Sequence, residues 1–140
     1  MARAIHGFTA YLDPRNHDRV REHSAQFVNE RIDKLTATAV AETVARGREA
    51  IAARIDELDR EWDIDRALMA NFAIVGSLTF WLGRRKDKRW MWLFGAQQLF
   101  LLLHSTVGWC PPVPLFRRLG FRTAKEIVAE RQQLARRLMR

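Results

Sequence analysis

The chain has 140 residues, 48% of them hydrophobic and 29% charged, with a net charge of +8; that is one domain's worth of material, or a small domain with an appendage. A single cysteine, Cys110, excludes an internal disulfide and a zinc site built from cysteines alone. The basic balance fits nucleic acid or an anionic membrane surface, but cations and acids interleave, as in Arg54-Ile55-Asp56-Glu57-Leu58-Asp59-Arg60-Glu61, and no recognition helix, zinc spacing or aromatic-basic motif appears, so no nucleic-acid partner is expected.

Residues 1–12 read as an irregular lead. No apolar core followed by a small-residue cleavage site occurs in the first 30 residues, so the N-terminus is expected in the cytoplasm. Asp13-Pro14 is a helix start, Asp as N-cap and Pro at the first helical position. The helix it opens runs to about Leu35 with Val20, Phe27, Val28 and Ile32 on a weak stripe. Next, Val40, Val44, Ile51, Ile55, Leu58 and Trp62 fall on one helical face. Val40, Ile51 and Trp62 lie eleven residues apart, which predicts one nearly straight helix packed on a neighbour rather than a heptad seam. Gly47 in its middle weakens it by about 1 kcal/mol relative to Ala.

Two uncharged runs follow, Ala67–Leu82 and Trp90–Trp109. As helices they span about 24 and 30 Å, against a bilayer hydrocarbon core of about 30 Å. All five tryptophans mark their ends: Trp62, Trp81, Trp90, Trp92 and Trp109. Indoles favour the headgroup boundary, being apolar in body and polar at one N–H. The pattern predicts a transmembrane hairpin closed by residues 83–89, with Arg84, Arg85, Lys86, Lys88 and Arg89 at the interface. Asn71, Ser77, Gln97, Gln98 and His104 interrupt the runs. In an antiparallel hairpin Ser77 lies level with Gln97 and Gln98, and Asn71 with His104 and Ser105, so these polar groups are expected to bond across the pair. Ala70, Ala73 and Ser77 offer a small-residue face for close approach. Asp63 and Asp65 form a lead-in turn, with Arg66 reaching to the interface.

The loop carries five Lys/Arg, but nine lie within about 20 residues of the outer ends, so both termini are expected in the cytoplasm. After Pro111-Pro112, Thr123-Ala124-Lys125-Glu126 is a capping box opening a last helix, with Ile127, Val128, Leu134 and Leu138 on one face. It could lie on an anionic leaflet or pack on the Val40–Trp62 helix.

Residues 60–135 resemble the YgaP-like two-helix inner-membrane domain family of unknown function. The resemblance rests on Glu61-Trp62-Asp63-Ile64-Asp65-Arg66, the two apolar helices, Gly108-Trp109-Cys110-Pro111-Pro112, Phe116-Arg117-Arg118-Leu119-Gly120 and Arg122-Thr123-x-x-Glu126-Ile127. It implies a bacterial membrane hairpin. Some relatives place a sulfur-transfer domain before it, but residues 1–60 are too few and too helical for that domain.

Cys110 is the redox candidate: Arg117 and Arg118 follow closely, and positive charge favours the thiolate. A structural role accounts for more of the residues. Gly108 loosens the helix end, the prolines stop its continuation, and no CxxC partner, His or acid stands beside Cys110. His6, His17 and His23 are scattered, so no metal or other cofactor is expected.

The expected fold is all-α: a helical cytoplasmic segment (1–62), a transmembrane hairpin (63–112) and an amphipathic C-terminal helix (113–140). The expected role is non-enzymatic, structural or adaptor-like, at the bacterial inner membrane. Expected partners are the lipid bilayer, a second copy, and a protein docking on the Val40–Trp62 helix. A sulfur or redox carrier using Cys110 and a soluble helical interaction module are the competing readings.

Overall fold

A computed structural model of the chain describes residues 18–139, and within them every regular element is a helix. The irregular lead and the Asp13-Pro14 helix start lie outside the described residues. The elements are α1 (Arg19–Glu22), α2 (Gln26–Ala45), α3 (Arg48–Arg60), α4 (Ile64–Arg85), α5 (Arg89–Val107), α6 (Val113–Arg118) and α7 (Ala124–Leu138). The first stretch is thus divided. The Asp18 side chain accepts from the Arg21 N–H to start α1, and the chain breaks at His23 before α2 begins.

The straight helix expected from Val40 to Trp62 is broken at Gly47. This glycine holds φ +94° and is the N-cap of α3, and α3 ends at Arg60, leaving Trp62 in the connector. The apolar residues still share a core, because the bend brings α2 and α3 against the same neighbour. Ile51 and Leu58 are buried with Ile127 and Leu134 of α7, and Val40, Val44, Ile55 and Leu138 pack around them. The last helix therefore covers α3. Its apolar face is used within the chain and does not lie free for a leaflet.

The break at Gly47 reverses the sign of a simple substitution. In a continuous helix Gly47→Ala would stabilise by about 1 kcal/mol. At positive φ a Cβ costs about 1–3 kcal/mol instead. Gly47→Ala is expected to lower the thermal midpoint, and an increase would mean that α2 and α3 run through.

Local signals set the remaining ends. Asp63 accepts from the Arg66 N–H and caps α4. α4 and α5 form an antiparallel hairpin turning at Lys86–Lys88. Gly108 at φ +83° ends α5, and a Cβ there would collide with Arg19 Cβ and the Arg19 backbone, so α1 and the end of α5 meet where only a glycine fits. Arg19 Nη1 donates to the Ser105 and Thr106 carbonyls, satisfying acceptors that the helix end leaves open. The expected capping box at Thr123 is present, with both reciprocal bonds to Glu126.

At the base end of the hairpin a second core joins Val20, Ile64, Leu68, Phe72, Cys110 and Val113. Burying aliphatic side chains such as Ile64, Leu68 and Val113 stabilises by about 1.5–3 kcal/mol each. The segments before and after the hairpin build one base, on which α4 and α5 stand.

Candidate functional site

A water-facing helix pair turns polar groups outward and apolar groups inward. The hairpin does the reverse in its middle. Gly76, Thr79 and Gln97 are buried between α4 and α5, while Met69, Ile74, Leu78, Phe80, Leu93, Leu99, Leu102 and Leu103 are exposed. Ile74 is 69% exposed.

Among the polar groups inside, Thr79, Gln97 and His104 Nε2 have partners other than those depth alone suggests, while His104 Nδ1 is buried without one among the described residues. Thr79 Oγ1 lies 3.4 Å from Gln97 Oε1 and also bonds the Val75 and Gly76 carbonyls. Ser77, the expected partner of Gln97, is exposed, and so is Gln98. His104 Nε2 lies 2.9 Å from Asp65 Oδ1. Asn71, the expected partner of His104, is half-buried one face away. Close approach uses Gly76 and Gly83 rather than Ala73 and Ser77, which are exposed. A Cβ on Gly83 would fall 2.8 Å from Met91 Cγ. Helix rotation decides these partners, and register alone cannot supply it.

The tryptophans and cations sit at the two ends of the hairpin. Trp62 is half exposed beside Asp63, with the Arg66 guanidinium 4.7 Å from its ring centroid. Trp109 follows the end of α5 and is partly exposed. At the tip, Trp81 carries Arg85 at 5.5 Å, Trp90 is partly exposed and Trp92 is 84% exposed. Arg84, Arg85, Lys86, Lys88 and Arg89 are all exposed around the turn. Among the described residues one segment, within Arg48–Arg85, is long and apolar enough to cross a membrane, with mean hydropathy 1.2 over its window. α5 falls short of the same measure because Gln97, Gln98 and His104 interrupt it.

Cys110 is fully buried in the core at the base end of the hairpin. Burial pushes its thiol up, the bond from Val113 opposes this, and the negative charge of Asp65 adds to the rise. Arg117 and Arg118 do not offset it. Arg117 is engaged elsewhere and Arg118 is exposed. A buried, protonated thiol is a poor nucleophile. Native protein should therefore label at neutral pH far more slowly than a free cysteine, with reactivity regained on unfolding. Fast labelling of the folded chain would restore the redox reading.

Sequence reasoning missed a charged network in the base. Arg117, 1% exposed, donates to both carboxylate oxygens of Glu126 at 2.6 and 2.9 Å, to Asn29 Oδ1 at 2.7 Å and to the Phe121 carbonyl. Arg21 joins Glu126 to Asp33. Beside it, Glu130, also 1% exposed, meets Arg122 and accepts from Arg54 Nε at 3.0 Å, while Arg122 is bidentate to Glu61. Burial alone would raise the Glu126 carboxyl, but Arg117, the Thr123 N–H and Arg21 together hold it below the ordinary value. Likewise burial works against the Arg122 charge, and Glu61 and Glu130 more than restore it. The network ties α1, α2, α3 and α7 together through bidentate forks that only arginine supplies. A cleft of about 420 Å³ opens beside it between Asp18, Arg21, Asp33, Lys125, Glu126 and Glu130. Among the described residues no cluster of three His, Cys, Asp or Glu side chains could hold a metal ion.

No protein-family model, curated protein or solved structure matches the chain.

Proposed function

We propose that the chain is a non-enzymatic bacterial inner-membrane protein, with its hairpin solvated by lipid and its base held at the cytoplasmic face as a structural or adaptor element. The observation that carries this reading is the middle of the hairpin, with Gly76, Thr79 and Gln97 inside and large apolar side chains, among them Ile74, Leu78, Leu99 and Leu102, exposed outside. Water would be in contact with those side chains in a soluble monomer, and exposed apolar patches of such extent mark membrane or protein contact surfaces. Indoles at both ends of the helices support lipid as the contact. The resemblance around Gly108-Trp109-Cys110-Pro111-Pro112 points the same way. Cytoplasmic termini are supported by the number of cations flanking the base end, beside the five of the tip.

The apolar residues of α3 are consumed by α7, so a protein partner would meet the base through its charged outer surface, where Glu49, Asp56, Glu57 and Arg60 are exposed. Self-association is supported on α5: Gln98 is an exposed amide midway along the helix, and Gly95, one turn earlier, has open space around it. In lipid such an amide gains from a partner helix, by about 0.6 kcal/mol on average.

Fractionation with an alkaline carbonate wash tests the reading. The chain is expected to stay with the membrane and to need detergent for release. A chain that leaves with the cytosol and remains monodisperse in plain buffer would be the soluble interaction module instead.

A further inference from the structure

We propose that the tip of the hairpin binds the headgroups of anionic phospholipids in the leaflet opposite the base. The inference rests on the membrane reading and adds to it a lipid preference with a defined location.

The charge is concentrated there. Residues 84–89 contribute +4 of the chain's +8. All five cations are exposed, and the sole carboxylate among them, Asp87, is occupied locally. Its Oδ1 accepts from the Arg89 N–H at 2.9 Å, and its Oδ2 lies 3.9 Å from Arg89 Nε. Five arginines of the base, Arg21, Arg54, Arg117, Arg122 and Arg131, each meet a carboxylate at 3.0 Å or closer. Among the described residues no carboxylate comes closer to a tip cation than Asp87 does to Arg89, so an external anion completes them. Guanidinium and ammonium groups suit phosphate oxygens, arginine through paired N–H bonds and lysine as a point charge.

Indoles select lipid over other phosphate carriers. Trp81, Trp90 and Trp92 are exposed beside the cations, and Arg85 lies along the Trp81 ring. Directly beneath them begins the apolar coat of Leu78, Phe80 and Leu93. Close contact between Gly83 and Met91 keeps the two helix ends together, so cations, indoles and apolar side chains stack in successive layers. A headgroup with acyl chains matches that order of charge, amphipathic ring and oil. A nucleic acid or free phosphate matches only the first layer.

The test compares the full-length chain with a variant carrying Arg84→Gln, Arg85→Gln, Lys86→Gln, Lys88→Gln and Arg89→Gln. Both are reconstituted into phosphatidylcholine vesicles containing a trace of dansyl-labelled phosphatidylglycerol or dansyl-labelled phosphatidylcholine. Energy transfer from tryptophan reports which lipid gathers around the protein. The wild type is expected to favour phosphatidylglycerol and to lose that preference as salt shortens the Debye length from about 10 Å at 0.1 M to about 3 Å at 1 M. The variant is expected to incorporate equally well and to lose preference on the order of tenfold. A second variant, with the three arginines changed to lysine, should keep it. Equal transfer to both lipids in the wild type, or a preference surviving in the glutamine variant, overturns the proposal while leaving the membrane reading intact. Failure of the wild type to enter neutral vesicles overturns both.

Discussion

Replacing Arg117 with methionine should destabilise the base by about 3–5 kcal/mol, the range for removing one partner of a buried ion pair. On a chain of this size that is a fall of roughly 10 °C or more in the thermal midpoint. The side chain is fully enclosed, so methionine fills the volume but removes the bidentate partner of Glu126 and the arginine donor to Asn29 Oδ1 and the Phe121 carbonyl. Arg21 still reaches Glu126 and limits the loss. Arg117→Lys should recover only part of it, because an ammonium cannot hold both Glu126 oxygens and Asn29 in one plane. Adding Glu126→Gln to Arg117→Met should also restore part of the loss, since the amide removes the orphaned charge and can still serve the capping box. Thermal unfolding in mild detergent measures all four proteins. A single variant melting within about 1 kcal/mol of the wild type would mean that the network does not hold the base.

The same network sets a response to acid. Glu126 is held below its ordinary pKa in the folded chain, so its contribution is complete above the unfolded value. That stability is lost as pH falls through the depressed folded value. The base is expected to loosen as pH falls below the ordinary glutamate range, and Glu126→Gln should flatten the dependence. A midpoint that declines equally in both proteins would assign the acid response to other carboxylates.

How much of this was legible depended on the range of each interaction. The Thr123 capping box, the Asp63 cap and the stop at Gly108 with its following prolines are local, and each is written in adjacent residues. The break at Gly47 was hidden because apolar spacing continues through it, and periodicity carries no information about φ. The ion pairs were out of reach for another reason: Arg54 and Glu130 are 76 residues apart, and Arg117 and Asn29 are 88 apart. One signal did exist. Glu130 lies on the stripe between Ile127 and Leu134, and a carboxylate on an apolar face must find a cation. Glu126 and Glu130 are also the only acids after residue 110, amid seven lysines and arginines in residues 110–139. In the hairpin, depth placed the polar residues but not their rotation, and so Thr79 and Asp65 took the places expected for Ser77 and Asn71.

Rotation is also what makes the solvent around the hairpin testable by one substitution. Ile74 lies near the middle of α4 and points away from α5, with 69% of its surface open. In water an arginine at such a position changes stability by no more than about 0.5 kcal/mol, because surface substitutions away from special features are nearly neutral. In a bilayer the same arginine near the helix centre costs about 2.5–3.5 kcal/mol, and it replaces an isoleucine that favoured insertion. Ile74→Arg should therefore sharply reduce the membrane-inserted fraction, while Ile74→Leu leaves it unchanged. Phe72→Arg serves as the contrast, since Phe72 is buried on the inner face of the same helix, in the core at the base end of the hairpin, and an arginine there damages the protein in either solvent. The decisive comparison is between the two arginine variants. If Ile74→Arg melts and fractionates like the wild type while Phe72→Arg does not, the outer coat faces water and the hairpin is not a membrane element. If both fail, with Ile74→Leu intact, the open face of α4 is in contact with lipid.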